Sequence, residues 1–513
     1  MDKNLFKNET ILKLLEYYQT IWALDHLNKL ATWDGEVYMP IKGAMYRGKA
    51  LAKSQTLIQQ LFLSKEFISL IETSEKEELN DYEKAVIRVL RRELDMFQKL
   101  PAKFIEEFEE TVSEAQIIWR KARKTDDFNL FAPMLANIID LSRQKATYLG
   151  YQDNPYDALL DTYEEKLTVK FLDNYFQKVT STITELLASL KNSSKLSKQS
   201  PMSSLEYNIE KAKNLNGKIL EFLQYDNQKL RLDISSHPFS EGLSTHDSRI
   251  TTRYEGFDIA RTVTSTIHEF GHALYFLQHN DEINTTPLYT NYSLALHESQ
   301  SRFFENHIGR SRSFFVENLT NFHNLGTEYE KYSADDYYKY FNQVNPSLIR
   351  VEADEVTYHA HIYIRYKIEN ALINDDLQVK DIPNTWNEMY RDILGVIPKN
   401  DSEGCLQDIH WSMGAIGYFP TYSLGTVFAS QISNKMETEL DPIAELISTN
   451  TGMTKLTNWL AENIHQFGAT YTFDQISNRI TGGVLDTKYW SEYLKDKYSK
   501  IYNLTLYNIN IQL

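Results

Sequence analysis

The run Thr264-Ser265-Thr266-Ile267-His268-Glu269-Phe270-Gly271-His272-Ala273-Leu274-Tyr275 contains the pentapeptide H-E-x-x-H. If the two imidazoles serve one ion, the segment is restricted to an α-helix. Only there do residues four apart lie one above the other. Glu269 then falls at the edge of the same face, beside the coordination position a metal-assisted peptide hydrolase leaves open. Ile259, Val263, Ile267, Leu274 and Leu277 recur at helical spacing and make one apolar stripe, with Asp258 placed as an N-cap. Gly271 costs roughly 1 kcal/mol against Ala inside a helix. Its presence signals close approach of another segment or a ligand. The blander alternative is two unconnected helix histidines.

A catalytic zinc takes three protein ligands. Downstream, Leu294-Ala295-Leu296-His297-Glu298-Ser299-Gln300-Ser301-Arg302-Phe303-Phe304-Glu305 reads as a second helix capped by Ser293. The intervening chain leaves room for the first helix to end and the backbone to return. Glu298 would then complete a His268, His272, Glu298 set. Glu298, Arg302 and Glu305 share one side of this helix, so Arg302 is available to hold the ligand carboxylate. Taken alone, Glu298 reads as a solvated helix glutamate.

Composition narrows the class. A formal net charge of −16 argues against nucleic acid as a partner. One cysteine, Cys405, allows no internal disulfide and fits the cytoplasm. The first residues lack the apolar core of a signal peptide, and no stretch approaches the length and apolarity of a membrane span.

The chain reads as mainly α. Amphipathic stretches fill residues 8–30, 43–75, 80–122, 128–148, 168–190, 203–226, 333–346, 355–372, 424–447 and 452–466. One segment departs from this. Leu230, Leu232 and Ile234 alternate with Arg231 and Asp233, and Ser248–Tyr254 is rich in β-branched residues. The expectation is a small three-stranded β-sheet just before the metal-binding helix. The Ser-rich stretch 190–204 reads as a mobile loop. We expect one domain, residues 1–513, with an N-terminal helical lobe of about 1–225 and a metal-site and C-terminal lobe of about 226–513.

Further blocks give the sequence a family resemblance. They are His237-Pro238-Phe239, Asp247-Ser248-Arg249-Ile250-Thr251, His297-Glu298-Ser299-Gln300-Ser301, Ile349-Arg350-Val351-Glu352-Ala353-Asp354 and Gly404-Cys405-Leu406-Gln407-Asp408-Ile409-His410-Trp411. Trp33-Asp34-Gly35-Glu36-Val37-Tyr38-Met39-Pro40 and Gly417-Tyr418-Phe419-Pro420-Thr421-Tyr422 extend it toward both ends. In order and spacing the chain resembles the M32 metallocarboxypeptidases, the carboxypeptidase Taq group. That resemblance implies a zincin-like, two-lobed helical molecule with a deep groove, usually a homodimer. It also implies release of single residues from peptide C-termini with broad specificity and poor action at proline.

Residue roles follow as expectations. Glu269 is the general base. His237, His410 and Tyr422 are candidates to stabilise the oxygen that gains charge. As alternatives, His237 caps a turn, His410 is a buried structural histidine, and Tyr422 is one of 33 tyrosines. Arg350 leads for the terminal carboxylate, with Arg249 and Arg253 behind it, because a planar guanidinium matches that group. An internal ion pair is the alternative for Arg350. Asp408 and Asp354 are placed to orient histidines. Cys405 is a bystander. Zn2+ is the expected metal, with Co2+ or Mn2+ as substitutes. A zinc oligopeptidase or endopeptidase with the same ligands is the rival, and a metal-stabilised scaffold without turnover a more distant one.

Overall fold

With Gly and Pro scarce, at 19 and 12 positions, little interrupts the helical periodicity. The computed structural model describes residues 4–192 and 199–504 and is mainly helical. The breaks fall where the chemistry demands. The stretch 43–75 divides into Ala44–Phe62 and Lys65–Ser74, because Ser64 caps the second helix by accepting from the Phe67 N–H. The stretch 80–122 divides into Asp81–Lys99 and Ala102–Thr125 around Pro101, which cannot donate to the preceding turn. The stretch 203–226 shortens to Ile209–Phe222, capped by Asn208. Helices Arg312–His323, Ile382–Leu394, Phe473–Thr481 and Thr487–Tyr502 add to the expected set. Of the expected loop 190–204, residues 193–198 lie outside the described residues, while Val169–Asn192 is helix up to that point.

The sheet forms as expected, with strands β1 (Leu230–Ile234), β2 (Ser240–Ser244) and β3 (Asp247–Thr252) in the order β1-β3-β2. β1 runs parallel to β3, pairing Leu232 with Ile250. β2 is antiparallel, pairing Ser240 with Ile250, and is irregular between Gly242 and Ser244. One face of the sheet lies on helix Ile259–Leu277. A Cβ at Gly242 would stand 2.3 Å from the Phe276 ring, so only glycine permits that approach.

The chain forms two compact units, and neither is a continuous half. One gathers the described residues of Met1–Gln98, Pro201–Phe341 and Ile432–Val484. The other gathers those of Lys99–Ser200, Asn342–Gln431 and Leu485–Leu513. The chain passes from one unit to the other repeatedly. Side-chain hydrogen bonds between buried helix faces join segments far apart in sequence, for example Tyr175 to Ser423 and Thr182 to Ser491. Among the described residues, no helix is long and apolar enough to cross a membrane.

Candidate active site

Helix Ile259–Leu277 carries His268, Glu269 and His272. Asp258 occupies its N-cap position, but its carboxylate bonds Arg261 and Tyr340 instead of the helix N–H groups. Helix Leu294–Arg302 is capped by Ser293, whose side chain accepts from Leu296 N, and it carries Glu298. The two helices meet at Gly271, where a Cβ would lie 2.5 Å from the Gln300 carbonyl oxygen. The close approach inferred from that glycine is to this segment.

This contact brings three donors together. Glu298 Oε2 lies 3.5 Å from His272 Nε2 and 3.8 Å from His268 Nε2. All three ligand atoms fall within 4.8 Å of one another. Bonds of about 2.1 Å in a tetrahedral set put neighbouring ligand atoms about 3.4 Å apart, so the spacing fits a single small cation. Two imidazoles and one carboxylate suit zinc, and also cobalt or manganese.

The outer atoms of the ligands are held too. His268 Nδ1 lies 2.9 Å from Glu305 Oε2. The carboxylate can only accept, so Nδ1 carries the proton and Nε2 presents its lone pair. Arg302 Nε donates to Glu298 Oε1 at 2.7 Å, as the helix spacing suggested. His272 is ordered by stacking, its ring 4.1 Å from that of His297. Burial opposes charge on His268, but Glu298 and Glu305 outweigh it and hold the ring pKa above its ordinary value. Burial likewise opposes charge on Glu298, yet Arg302, His268 and His272 bring it down to about 2. Glu269 is buried, which pushes its carboxyl up, and Ser240 of β2 hydrogen-bonds it.

On the sheet side, Thr251 Oγ1 accepts from Phe239 N at 2.9 Å and from Ser235 Oγ at 2.7 Å. It thereby ties the β1–β2 loop to β3. His237 sits exposed in that loop. Arg249 is paired with Asp247 through Nε at 3.0 Å and Nη2 at 2.8 Å. It also lines a cavity of about 540 Å³ with Trp33, Asp34, Tyr38 and Arg47. Arg253 is exposed beyond β3 and pairs with Glu255 at 2.6 Å. Neither arginine is left with an unpaired fork.

Arg350, His410 and Tyr422 form a second cluster, in the other unit. Asp408 Oδ1 accepts from Arg350 Nε at 2.9 Å and Nη2 at 2.8 Å, while Oδ2 accepts from Arg365 Nε at 2.7 Å. Gln407 Oε1 accepts from the Arg350 N–H and from Arg365 Nη2, each at 2.8 Å. The Arg350 guanidinium lies 5.1 Å from the Tyr422 ring centre and 5.6 Å from that of Phe419. His410 Nε2 is 3.2 Å from the Tyr422 hydroxyl. Burial and the neighbouring Arg350 push the His410 pKa down to about 3, leaving the ring neutral. The expectation for the two aspartates is corrected. Asp408 holds arginines, and its nearest oxygen is 3.9 Å from His410 Nδ1. Asp354 accepts from Val356 N, Thr357 N and Asn345 N, so it orders a turn. Cys405 is buried, and burial raises its thiol pKa, which disfavours the thiolate a nucleophile requires.

The sequence model of the carboxypeptidase Taq (M32) metallopeptidases matches residues 13–498. The chain belongs to the M32 family. An M32 relative from Pyrococcus furiosus, thermostable carboxypeptidase 1, is 39% identical and covers 97% of this chain and 100% of its own. Carboxypeptidase 1 of Bacillus subtilis is 35% identical over 96% of this chain and 98% of its own. The solved Pyrococcus furiosus carboxypeptidase superposes with a TM-score of 0.94, covering 96% of this chain and 100% of that one. The Deinococcus radiodurans M32 carboxypeptidase does so with 0.92 at 28% identity, covering 97% and 100%. This M32 protein is a metallocarboxypeptidase.

Two carboxylates of this M32 chain carry roles that their sequence positions do not disclose. Glu305 reads in sequence only as a residue on the Glu298 side. In the structure it sits in a π-helical turn, Phe303–Gly309, and reaches His268. Glu369 is fully buried and accepts from Tyr156 Oη at 2.5 Å, Gly417 N at 2.8 Å and Trp411 Nε1 at 2.9 Å. It fixes both ends of the turn between Trp411 and Gly417. A glutamate within an apolar helical stretch was the available signal.

Proposed function

We propose that this metallocarboxypeptidase uses zinc held by His268, His272 and Glu298, with Glu269 as general base. The observation that carries this is the convergence of His268 Nε2, His272 Nε2 and Glu298 Oε2 beside a buried Glu269. A divalent ion there supplies Lewis acidity and lowers the pKa of a water it binds. Glu269 takes a proton from the attacking water onto its carboxylate and hands it to the departing amine nitrogen. His410 and Tyr422, with His237 as a further candidate, donate hydrogen bonds to the substrate oxygen that gains charge. Loss of one such donor typically costs about 3 kcal/mol. Arg350 reads the terminal carboxylate with the donor capacity Asp408 leaves it, and Arg249 and Arg253 are secondary candidates. The Asp408 pairing supports this role because it fixes the guanidinium before substrate arrives.

Broad side-chain tolerance, poor action at proline and a homodimer follow from the family likeness. A cytoplasmic location is supported by the single cysteine. The deciding experiment is mass spectrometry of an unlabelled peptide incubated with zinc-loaded protein, beside its C-terminally amidated twin. Stepwise loss from the free-acid end, abolished by chelator and absent in the amide, supports the reading. Internal fragments from both peptides overturn it in favour of an endopeptidase.

A further inference from the structure

The atoms of the ligands that face away from the ion are held in two ways. His272 stacks on His297, and its Nδ1 is buried without a hydrogen-bond partner among the described residues. His268 Nδ1 and Glu298 Oε1 are instead tied into one charged chain. Arg302 donates through Nε to Glu298 Oε1 at 2.7 Å and through Nη1 to Glu305 Oε2 at 3.1 Å. Glu305 Oε2 also receives His268 Nδ1 at 2.9 Å. Its other oxygen, Oε1, is taken by Arg310 Nη2 at 2.9 Å and Nε at 3.3 Å, and Arg310 Nη1 reaches the Phe341 carbonyl. Glu305 is 7% exposed, so little solvent screens these contacts.

The backbone has a special form at this point. Helix Leu294–Arg302 passes directly into the π-helical turn Phe303–Gly309, and Glu305 lies inside that turn. π turns are rare and recur at functional sites. Here the wider turn carries the carboxylate that reaches back to His268. The charges also balance before any metal arrives, because Glu298 and Glu305 face Arg302 and Arg310. A buried carboxylate with both oxygens engaged by guanidinium groups is fixed in position. The imidazole that donates to it inherits that fixity.

We propose that Glu305 is a positioning residue for the metal. It acts through His268 and, by way of Arg302, through Glu298, and it sets how tightly and in what geometry the ion is held without ligating it. This rests on the His268, His272, Glu298 reading of the ligand set. Carboxylates that orient a ligating histidine typically contribute about 10- to 100-fold in metal affinity.

The test uses Co2+ alone as probe, titrated into full-length metal-free protein against a chromophoric chelator, with the visible cobalt spectrum recorded. Glu305→Gln keeps the size and removes the charge. Glu305→Asp keeps the charge and withdraws it from His268, and it serves if the first variant does not fold. In the folded variant, cobalt affinity is expected to fall about 10- to 100-fold, with a shifted spectrum. A loss below fivefold overturns the proposal, and so does a larger loss with the parent's spectrum, which marks a merely structural role. His272→Ala is the control for the ligand set. If it binds cobalt as the parent does, the ligand reading itself fails, and that outcome is distinct from failure of the Glu305 role.

Discussion

Gly271 stands against Gln300 so closely that a Cβ at 271 would lie 2.5 Å from the Gln300 carbonyl oxygen and 2.6 Å from Ser301 Cα. Both obstacles are backbone, so neither can swing aside. Gly271→Ala gains about 1 kcal/mol of helix propensity. It sets against that an overpacking cost of about 1–3 kcal/mol, or more where backbone must move. The expected outcome is a lower melting temperature for the metal-free protein together with weaker metal binding, because the wedge separates His268 and His272 from Glu298. Thermal unfolding and cobalt titration of the same variant check this. A variant at least as stable as the parent would contradict the close approach.

Glu369 provides a pH prediction within the unit that lacks the metal ligands. Burial raises its pKa from the ordinary 4.5 to about 7, and the donors Tyr156, Gly417 and Trp411 offset only part of that. The folded chain therefore favours the protonated acid. Its contribution to stability is complete below about 4.5 and is lost as pH rises through about 7. The loss approaches about 3 kcal/mol, since each tenfold change in proton affinity is worth about 1.4 kcal/mol. Glu369→Gln carries no such titration. The stability difference between variant and parent should move in the variant's favour by about that amount between pH 4.5 and 7. Denaturant unfolding at stepped pH measures it, and a constant difference would show that Glu369 titrates normally.

The parts legible in the sequence are those whose chemistry depends on spacing. His268, Glu269 and His272 announce a helix because only a helix makes their separation useful. Alternation through Leu230, Leu232 and Ile234 is enough to place β1. Glu305 is not legible as a partner of His268, because no residue pattern separates a π turn from the α-helix it continues. Asp408 and Asp354 read as partners of histidines because an aspartate near a histidine in sequence carries no direction. In three dimensions Arg350 and Arg365 claim one, and the N–H groups of a turn claim the other. The pairing of Tyr175 with Ser423 is not legible either, since a hydrogen bond between residues so far apart in the chain is specified only in space.

Arg350 and Asp408 make separable predictions. Asp408→Asn leaves Arg350 and Arg365 buried without their counter-charge, a change that typically costs about 3–5 kcal/mol. Arg350→Lys keeps the positive charge and loses the planar fork. If Arg350 reads the terminal carboxylate, the lysine variant should lose about 10- to 100-fold in kcat/KM on free-acid peptides, the worth of one charge-assisted hydrogen bond. Any residual cleavage of C-terminally amidated peptides should be unchanged. The ratio of the two rates is the measurement. A ratio equal to the parent's would leave Arg350 a structural partner of Asp408 and nothing more.

Glu269 is the residue whose removal separates binding from chemistry. It is buried one position from His268, and Ser240 on β2 engages its carboxylate. Glu269→Gln preserves size and the oxygen that accepts from Ser240, but an amide cannot accept the water's proton. General-base contributions are typically about 100- to 10,000-fold, so kcat should fall by that order. Cobalt affinity should stay within a few-fold of the parent, since neither imidazole nor Glu298 has been touched. Single-turnover hydrolysis and metal titration on one preparation distinguish the two effects. Loss of metal in parallel with activity would make Glu269 part of the metal's support, and full activity would remove it from the reaction.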